Sequence, residues 1–105
     1  MPHRPRRESS TRFYHIYVRG INKEKIFGQP REKNYFKRII RKYLKEYGVE
    51  IYSYCIMSNH AHLLIKSDLK ELSMFMSKVL AKYAQYYNYK NNRNGHVFQI
   101  GRAHV

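Results

Sequence analysis

The chain has 105 residues, 43% of them hydrophobic, which allows one small domain with a core. Its 21 lysines and arginines against 7 acidic residues give a formal net charge of +14, which predicts attraction to phosphate-rich partners. The chain lacks both an apolar run long enough to span a membrane and the apolar core of a signal peptide. Its single cysteine excludes an internal disulfide and a cysteine-based zinc site. These features predict a cytoplasmic protein without a membrane partner.

The chain begins with residues 1–12, which are rich in arginine and proline and predict a mobile basic arm. Residues 14–18 then alternate aromatic and β-branched side chains, which predicts a first strand. Arg19 and Gly20 end that strand. A glycine lets the backbone approach a ligand closely and Arg19 can reach a phosphate, although an ordinary surface arginine fits the pattern equally well.

Two helices are predicted from apolar residues spaced three and four apart. Pro30 opens the first, over residues 31–47, and Gly48 stops it. Ser67 and Asp68 cap the second, which starts at about residue 69 or 72 and runs to about residue 89. The predicted buried stripe of the second helix consists of Leu72, Phe75, Met76, Val79, Leu80, Tyr83 and Tyr87.

Between the helices, residues 49–57 predict a second strand, and Ser58 and Asn59 connect it tightly to a third. We expect this hairpin in the middle of the sheet, with Cys55 packed as a small hydrophobic residue. Residues 96–99 begin a further strand. The order β-α-β-β-α-(β) predicts a ferredoxin-like α+β fold, an antiparallel sheet with two helices on one face.

Two histidines define the candidate site on the third strand. His60 and His62 are two residues apart, so a strand places both imidazoles on one face, while Ala61, Leu63 and Ile65 fill the other. Such a pair is half of a site for a divalent metal. The alternative is two partly buried histidines with ordinary hydrogen bonds.

Residues 54–65, Tyr-Cys-Ile-Met-Ser-Asn-His-Ala-His-Leu-Leu-Ile, resemble the signature of the HUH transposases that use a single tyrosine, and more narrowly the REP-associated tyrosine transposases. Residues 19–22 and 94–99 resemble that group's flanking motifs, so the resemblance covers about residues 13–99. It implies that His60, His62 and a third polar ligand hold Mg²⁺ or Mn²⁺ against a phosphate of single-stranded DNA. A tyrosine then attacks, giving a 5′-phosphotyrosine and a free 3′-hydroxyl.

The nucleophilic tyrosine is expected to be missing. In the group resembled it belongs to a later Tyr-Ile-x-x-Asn-Pro segment, which does not occur among these residues, and the third metal ligand would be missing with it. Tyr83 is the fallback, but its place on the apolar stripe predicts that it points into the core. Residues 100–105 resemble a translated sequencing-library adapter, so we expect an incomplete domain over residues 13–99 and a non-native tail. The alternative is a natural short relic that ends in an unrelated tail.

The leading hypothesis is therefore the N-terminal part of a DNA transposase and single-stranded DNA endonuclease, itself inactive, with single-stranded or hairpin DNA as its partner. Charge and nearness to the motif select five candidate DNA contacts: Arg19, Asn59, Lys66, Lys82 and Arg93. For Asn59, a role in the turn alone is equally compatible. The alternative is a non-catalytic basic module that binds single-stranded or hairpin nucleic acid through the tyrosines and lysines of residues 78–93. The sequence leaves open whether the chain is a monomer or a homodimer.

Overall fold

A computed structural model of the chain describes residues 10–104, and for residues 100–104 the backbone alone. Four strands and two long helices follow one another in the predicted order, with a short 3₁₀ turn after the first strand. The elements are β1 (Phe13–Gly20), α1 (Pro30–Leu44), β2 (Glu50–Ile56), β3 (His60–Lys66), α2 (Leu69–Lys90) and β4 (Phe98–His104), and the 3₁₀ turn spans Ile21–Lys23.

The strands form one sheet in the order β2-β3-β1-β4, and each neighbouring pair is antiparallel. Because β1 and β2 both pair with β3, they run parallel to each other and α1 crosses between them. This arrangement confirms the predicted α+β, ferredoxin-like fold. The β2-β3 hairpin also pairs as expected, but its predicted place in the middle was wrong. Since β1 pairs with the far side of β3, β2 lies at an edge of the described sheet.

The core lies between the helices and one face of the sheet. Alternate residues of β1 (Tyr14, Ile16, Val18) and of β3 (Ala61, Leu63, Ile65) are fully buried there. All seven residues of the predicted α2 stripe are buried, as are Phe36, Ile39 and Ile40 of α1. Strand alternation therefore sends one set of side chains into the core and leaves the other set on the opposite face.

The helix ends follow the predicted signals with two differences. α1 begins at Pro30 with a reciprocal capping box between Gln29 and Glu32, and its helical geometry ends at Leu44. Asp68 is the N-cap of α2, but its side chain makes no capping hydrogen bond. Instead the carboxylate of Asp68 lies 2.6 Å from the guanidinium of Arg12. The backbone N–H of Ser67 also donates a hydrogen bond to the carbonyl oxygen of Arg12. Residues 10–12 of the predicted arm are thus held, and residues 1–9 lie outside the described residues.

The backbone of residues 100–104 continues β4 along β1, in a register running from Phe98 opposite Gly20 to His104 opposite Tyr14. The predicted non-native tail thus occupies an edge of the sheet, and the origin of its residues stays a prediction. Within residues 10–104, neither long helix has the apolar composition needed to cross a bilayer.

Candidate metal and DNA site on the open face of the sheet

The sheet has an open face, defined as the side opposite the two helices. It carries His15, Tyr17 and Arg19 from β1 and the two histidines of β3, all half-buried. Antiparallel pairing sets Tyr17 opposite His62 and Arg19 opposite His60. The predicted placement of both imidazoles on one face is therefore confirmed, and the two central strands supply their surroundings.

The two imidazoles lie close enough to share an ion. Their ring centroids are 5.2 Å apart and their planes are perpendicular. A ring that binds a metal through one nitrogen has its centroid roughly 3 Å from the metal, so two rings on one ion have centroids within about 6 Å of each other. The ring of Tyr17 packs against both, with centroids 5.6 Å from His60 and 4.9 Å from His62. Tyr17 thus restricts both rings from the neighbouring strand.

Each histidine is also held through its Nδ1 atom. The Nδ1 of His60 lies 2.7 Å from Oδ1 of Asn59, an acceptor, so His60 donates that proton. The Nδ1 of His62 lies 3.0 Å from Nε2 of His15. Nε2 is therefore the nitrogen that remains on each ring for a metal. Ligating histidines commonly use the opposite nitrogen to hold a second protein group in this way.

The electrostatics favour a neutral, metal-binding imidazole at His62. The pKa of His62 is lowered from its usual value, first by desolvation and then by the nearby His15 and His60. Both Mg²⁺ and Mn²⁺ favour oxygen ligands, so either ion on these two nitrogens would need oxygen ligands at its remaining positions. Among the side chains described, those of residues 10–99, no three His, Cys, Asp or Glu are placed to hold a metal. The pair is thus half of a metal site, with the remaining positions open to a further ligand, to water or to a phosphate.

Arg19 lies beside this pair, opposite His60 in the register. Its Nη2 donates to Oε1 of Gln99 at 2.6 Å, which fixes the guanidinium across the β1-β4 boundary. Its Nε is buried and is the one such side-chain nitrogen or oxygen without a hydrogen-bond partner in the described part of the chain. A guanidinium that Gln99 holds beside the histidines suits an anionic group that approaches them.

Gly20 has a structural role apart from the predicted approach to a ligand. A Cβ atom at this position would lie 2.1 Å from the carbonyl oxygen of Glu24. The glycine therefore makes room for the chain's own backbone, and a close approach of a ligand at this position stays a prediction. Its N–H donates to the carbonyl oxygen of Asn59 at 2.9 Å, which ties the end of β1 to the turn before His60.

The other candidate DNA contacts are dispersed. Lys66 lies on the open face, with its ammonium 5.7 Å from the ring centroid of Phe13. Lys82 is exposed on α2, on the side of the sheet that the helices cover. The guanidinium of Arg93 forms an ion pair with Glu24 at 2.9 Å and also donates to Asn88 and to the carbonyl oxygen of His96. Arg19, Asn59 and Lys66 thus flank the histidines, whereas Lys82 and Arg93 lie elsewhere.

The tyrosines of α2 are mainly structural. Tyr83 is fully buried, as predicted, and its hydroxyl donates to the carbonyl oxygen of Ile26. Burial, together with the nearby Glu32, raises the pKa of Tyr83 far above its usual value. Burial and the hydrogen bond to Glu24 raise the pKa of Tyr87 to about 12. These hydroxyls hold the 3₁₀ turn and the following loop against α2.

Cys55 departs from its predicted packing. It is exposed, because its position opposite His62 in the β2-β3 register places it on the open face. The sequence reasoning also missed three residues that contact the site, namely His15, Tyr17 and Gln99. The alternation of His15, Tyr17 and Arg19 along β1 was the available signal. Without the register of β1 on β3, it could not show which of them reach the histidines.

A ferredoxin-like sheet with a histidine pair on its open face is the arrangement that the resemblance to the HUH transposases implies. The family model described as "Transposase IS200 like" matches residues 9–101, and the chain belongs to this family.

Two solved structures share the fold. One is a candidate transposase from Deinococcus radiodurans R1, with a TM-score of 0.69, 15% identity and coverage of 89% of this chain and 78% of that one. The other is a REP-associated tyrosine transposase bound to a REP hairpin, with a TM-score of 0.73, 12% identity and coverage of 100% of this chain and 62% of that one. This chain thus spans less than two thirds of the second. At these identities the two structures show the fold alone, and no curated protein sequence matches.

Proposed function

We propose that this chain supplies the metal-binding and DNA-binding half of a single-tyrosine transposase that cleaves single-stranded or hairpin DNA. The observation that carries the proposal is the pair of imidazoles on β3, which share the open face with each Nδ1 engaged and each Nε2 left for an ion. His60 and His62 would hold Mn²⁺ or Mg²⁺. When bound, the ion supplies Lewis-acid polarisation of the scissile phosphate.

The surrounding residues bind and orient the DNA strand. Arg19, held by Gln99, lies next to His60 and contacts a non-bridging phosphate oxygen. Lys66 adds a second positive charge further along β3, which favours a backbone that follows the strand direction. Asn59 orients His60 through its side-chain oxygen, so its contribution to DNA binding is indirect. Tyr17 stiffens both histidine rings.

We place the nucleophilic tyrosine outside these 105 residues. In the overall step its hydroxyl oxygen bonds to phosphorus, the bond to the 3′-oxygen breaks, and that oxygen gains the proton. Tyr83 cannot reach a phosphate without leaving the core, since it is fully buried and hydrogen-bonded to Ile26. Tyr17 is on the open face, but its ring packs on both histidines, so we assign it a supporting role.

The first test uses covalent adduct formation. The chain, and a form extended along its natural reading frame past Gln99, are incubated with labelled hairpin DNA and Mn²⁺. We expect an adduct only with the extended form, and its loss on His60→Ala or His62→Ala. An adduct formed by the short chain and abolished by Tyr17→Phe or Tyr83→Phe would refute our placement of the nucleophile.

The second test locates the DNA interface with two matched lysines. Lys66→Ala on the open face and Lys82→Ala on α2 each remove one charge, so their general electrostatic effects are alike. We expect Lys66→Ala and Arg19→Ala each to weaken hairpin binding and to reduce the salt slope by about one, with little change for Lys82→Ala.

A non-catalytic nucleic-acid module remains the second candidate, and the exposed ring of Tyr89 beside Lys90 on α2 favours it. The burial of Tyr83 and Tyr87 weakens the argument for this candidate, because these two tyrosines cannot stack on bases. Binding that is independent of metal, insensitive to the histidines and reduced by Lys82→Ala would support this candidate against the first.

A further inference from the structure

His15 lies on the open face beside the histidine pair, and the proposed function does not use it. Its Nε2 lies 3.0 Å from Nδ1 of His62, and the two rings are nearly parallel, with an interplanar angle of 3° and centroids 5.1 Å apart. A nitrogen-to-nitrogen distance this short between parallel rings indicates a hydrogen bond nearly in the plane of both. The contact runs diagonally across the open face, because the register places His62 opposite Tyr17.

One proton between two neutral imidazoles has two arrangements. If His15 donates, His62 carries its own proton on Nε2, and that nitrogen cannot bind a cation. If His62 donates from Nδ1, its Nε2 has a bare lone pair, and His15 accepts through Nε2. The choice of donor at this one bond therefore decides whether His62 can act as a ligand.

The neighbouring histidine indicates which arrangement suits the site. His60 faces the side-chain oxygen of Asn59, which only accepts, so His60 donates from Nδ1 and leaves Nε2 bare. A site that binds through both Nε2 atoms needs the same tautomer on His62. The described side chains, those of residues 10–99, form no three-residue ligand group, so His15 does not complete the metal shell as a third ligand.

We propose that His15 is a positioning residue for the metal site, accepting the Nδ1 proton of His62 and thereby fixing both the tautomer and the plane of that ring. This inference rests on the proposed function. His15 accepts the Nδ1 proton of His62 in the same way that Asn59 accepts the Nδ1 proton of His60. His15 does so from β1, whereas Asn59 lies in the turn before β3. Losing such a partner commonly lowers metal affinity by about 10–100-fold.

The test combines Mn²⁺ affinity with a direct reading of the tautomer. His15→Phe keeps a planar ring but removes the acceptor, and His15→Gln restores an acceptor oxygen. We expect His15→Phe to weaken Mn²⁺ binding by about 10–100-fold and His15→Gln to recover most of the loss. Circular dichroism of each variant reports whether the fold is retained.

The tautomer is read in the wild-type chain, so this part does not depend on how a variant folds. Long-range ¹H–¹⁵N spectra of the metal-free chain at pH 8 should show His62 protonated on Nδ1, and His15→Phe should shift it toward the Nε2-protonated form. Wild-type His62 protonated on Nε2, or unchanged Mn²⁺ affinity in His15→Phe, would overturn the inference alone. A wild-type chain that binds no Mn²⁺ would instead refute the proposed function and the inference with it.

Discussion

Replacing Gly20 by alanine should destabilise the chain for a purely steric reason. Gly20 has φ −64° and ψ 138°, an extended conformation that alanine adopts freely. Its added Cβ, however, would lie 2.1 Å from the carbonyl oxygen of Glu24 and 3.1 Å from Cγ2 of Ile26. The carbonyl would have to retreat by about 0.9 Å to reach even a 3.0 Å separation, and backbone cannot rotate away as a side chain does.

The expected magnitude follows from two opposing effects. Overpacking of this kind costs about 3 kcal/mol, at the upper end of the usual range because the clash is with backbone. The lower entropy of the unfolded alanine chain returns about 0.4–1 kcal/mol. The net loss of about 2 kcal/mol should lower Tm by roughly 8–16 °C for a domain of this size.

Gly48 provides the matched control. A Cβ at Gly48 meets nothing within 4 Å, so Gly48→Ala should be neutral or stabilising by up to about 1 kcal/mol. Urea unfolding monitored by circular dichroism compares the two variants. Equal stability of Gly20→Ala and Gly48→Ala would refute the steric reasoning. Because the N–H of Gly20 donates to Asn59, we also expect Gly20→Ala to weaken Mn²⁺ binding through the turn before His60.

Two further predictions concern charge. Arg93→Ala should lower the free energy of unfolding by about 1–2 kcal/mol, since Arg93 has an ion-pair partner in Glu24 and two further acceptors. Arg12→Ala should lower it by at most about 0.5 kcal/mol, because Arg12 and Asp68 are both half-exposed. Urea unfolding of both variants checks this order, and equal losses would contradict it. Because the pKa of His62 is lowered in the folded chain, the unfolded chain binds a proton at this residue more readily. The contribution of His62 to folding stability is therefore complete above about pH 6.5 and is lost as the pH falls through the lowered pKa. An NMR titration of that imidazole checks the sign, and a midpoint above 6.5 would contradict it.

Periodicity was sufficient for the elements and for most of the core that they contribute, but not for Ile26 and Phe27, which are fully buried in the loop before α1. The three-and-four spacing of α2 identified every one of its buried residues, and the two-residue spacing of His60 and His62 identified their shared face. Both are properties of a single element, so they can be derived from the local chain.

Properties that depend on pairing could not be derived in this way. Cys55 was assigned to the core because a strand has two faces and the sequence does not say which one the helices cover. Its exposure follows from its position opposite His62, a fact of the β2-β3 register. Arg93 likewise looked like a free cation until the fold brought it to Glu24, 69 residues away. Long-range partners decide whether a charge is available to a ligand.

Strand alternation also separates stability from chemistry in this sheet. The inward residues of β1 and β3 are all buried against the helices, so any change in them costs packing. The outward residues His15, Tyr17 and Arg19 lie at the site and add little to the core. We therefore expect substitutions of His15 to alter ligand binding in a chain that remains folded.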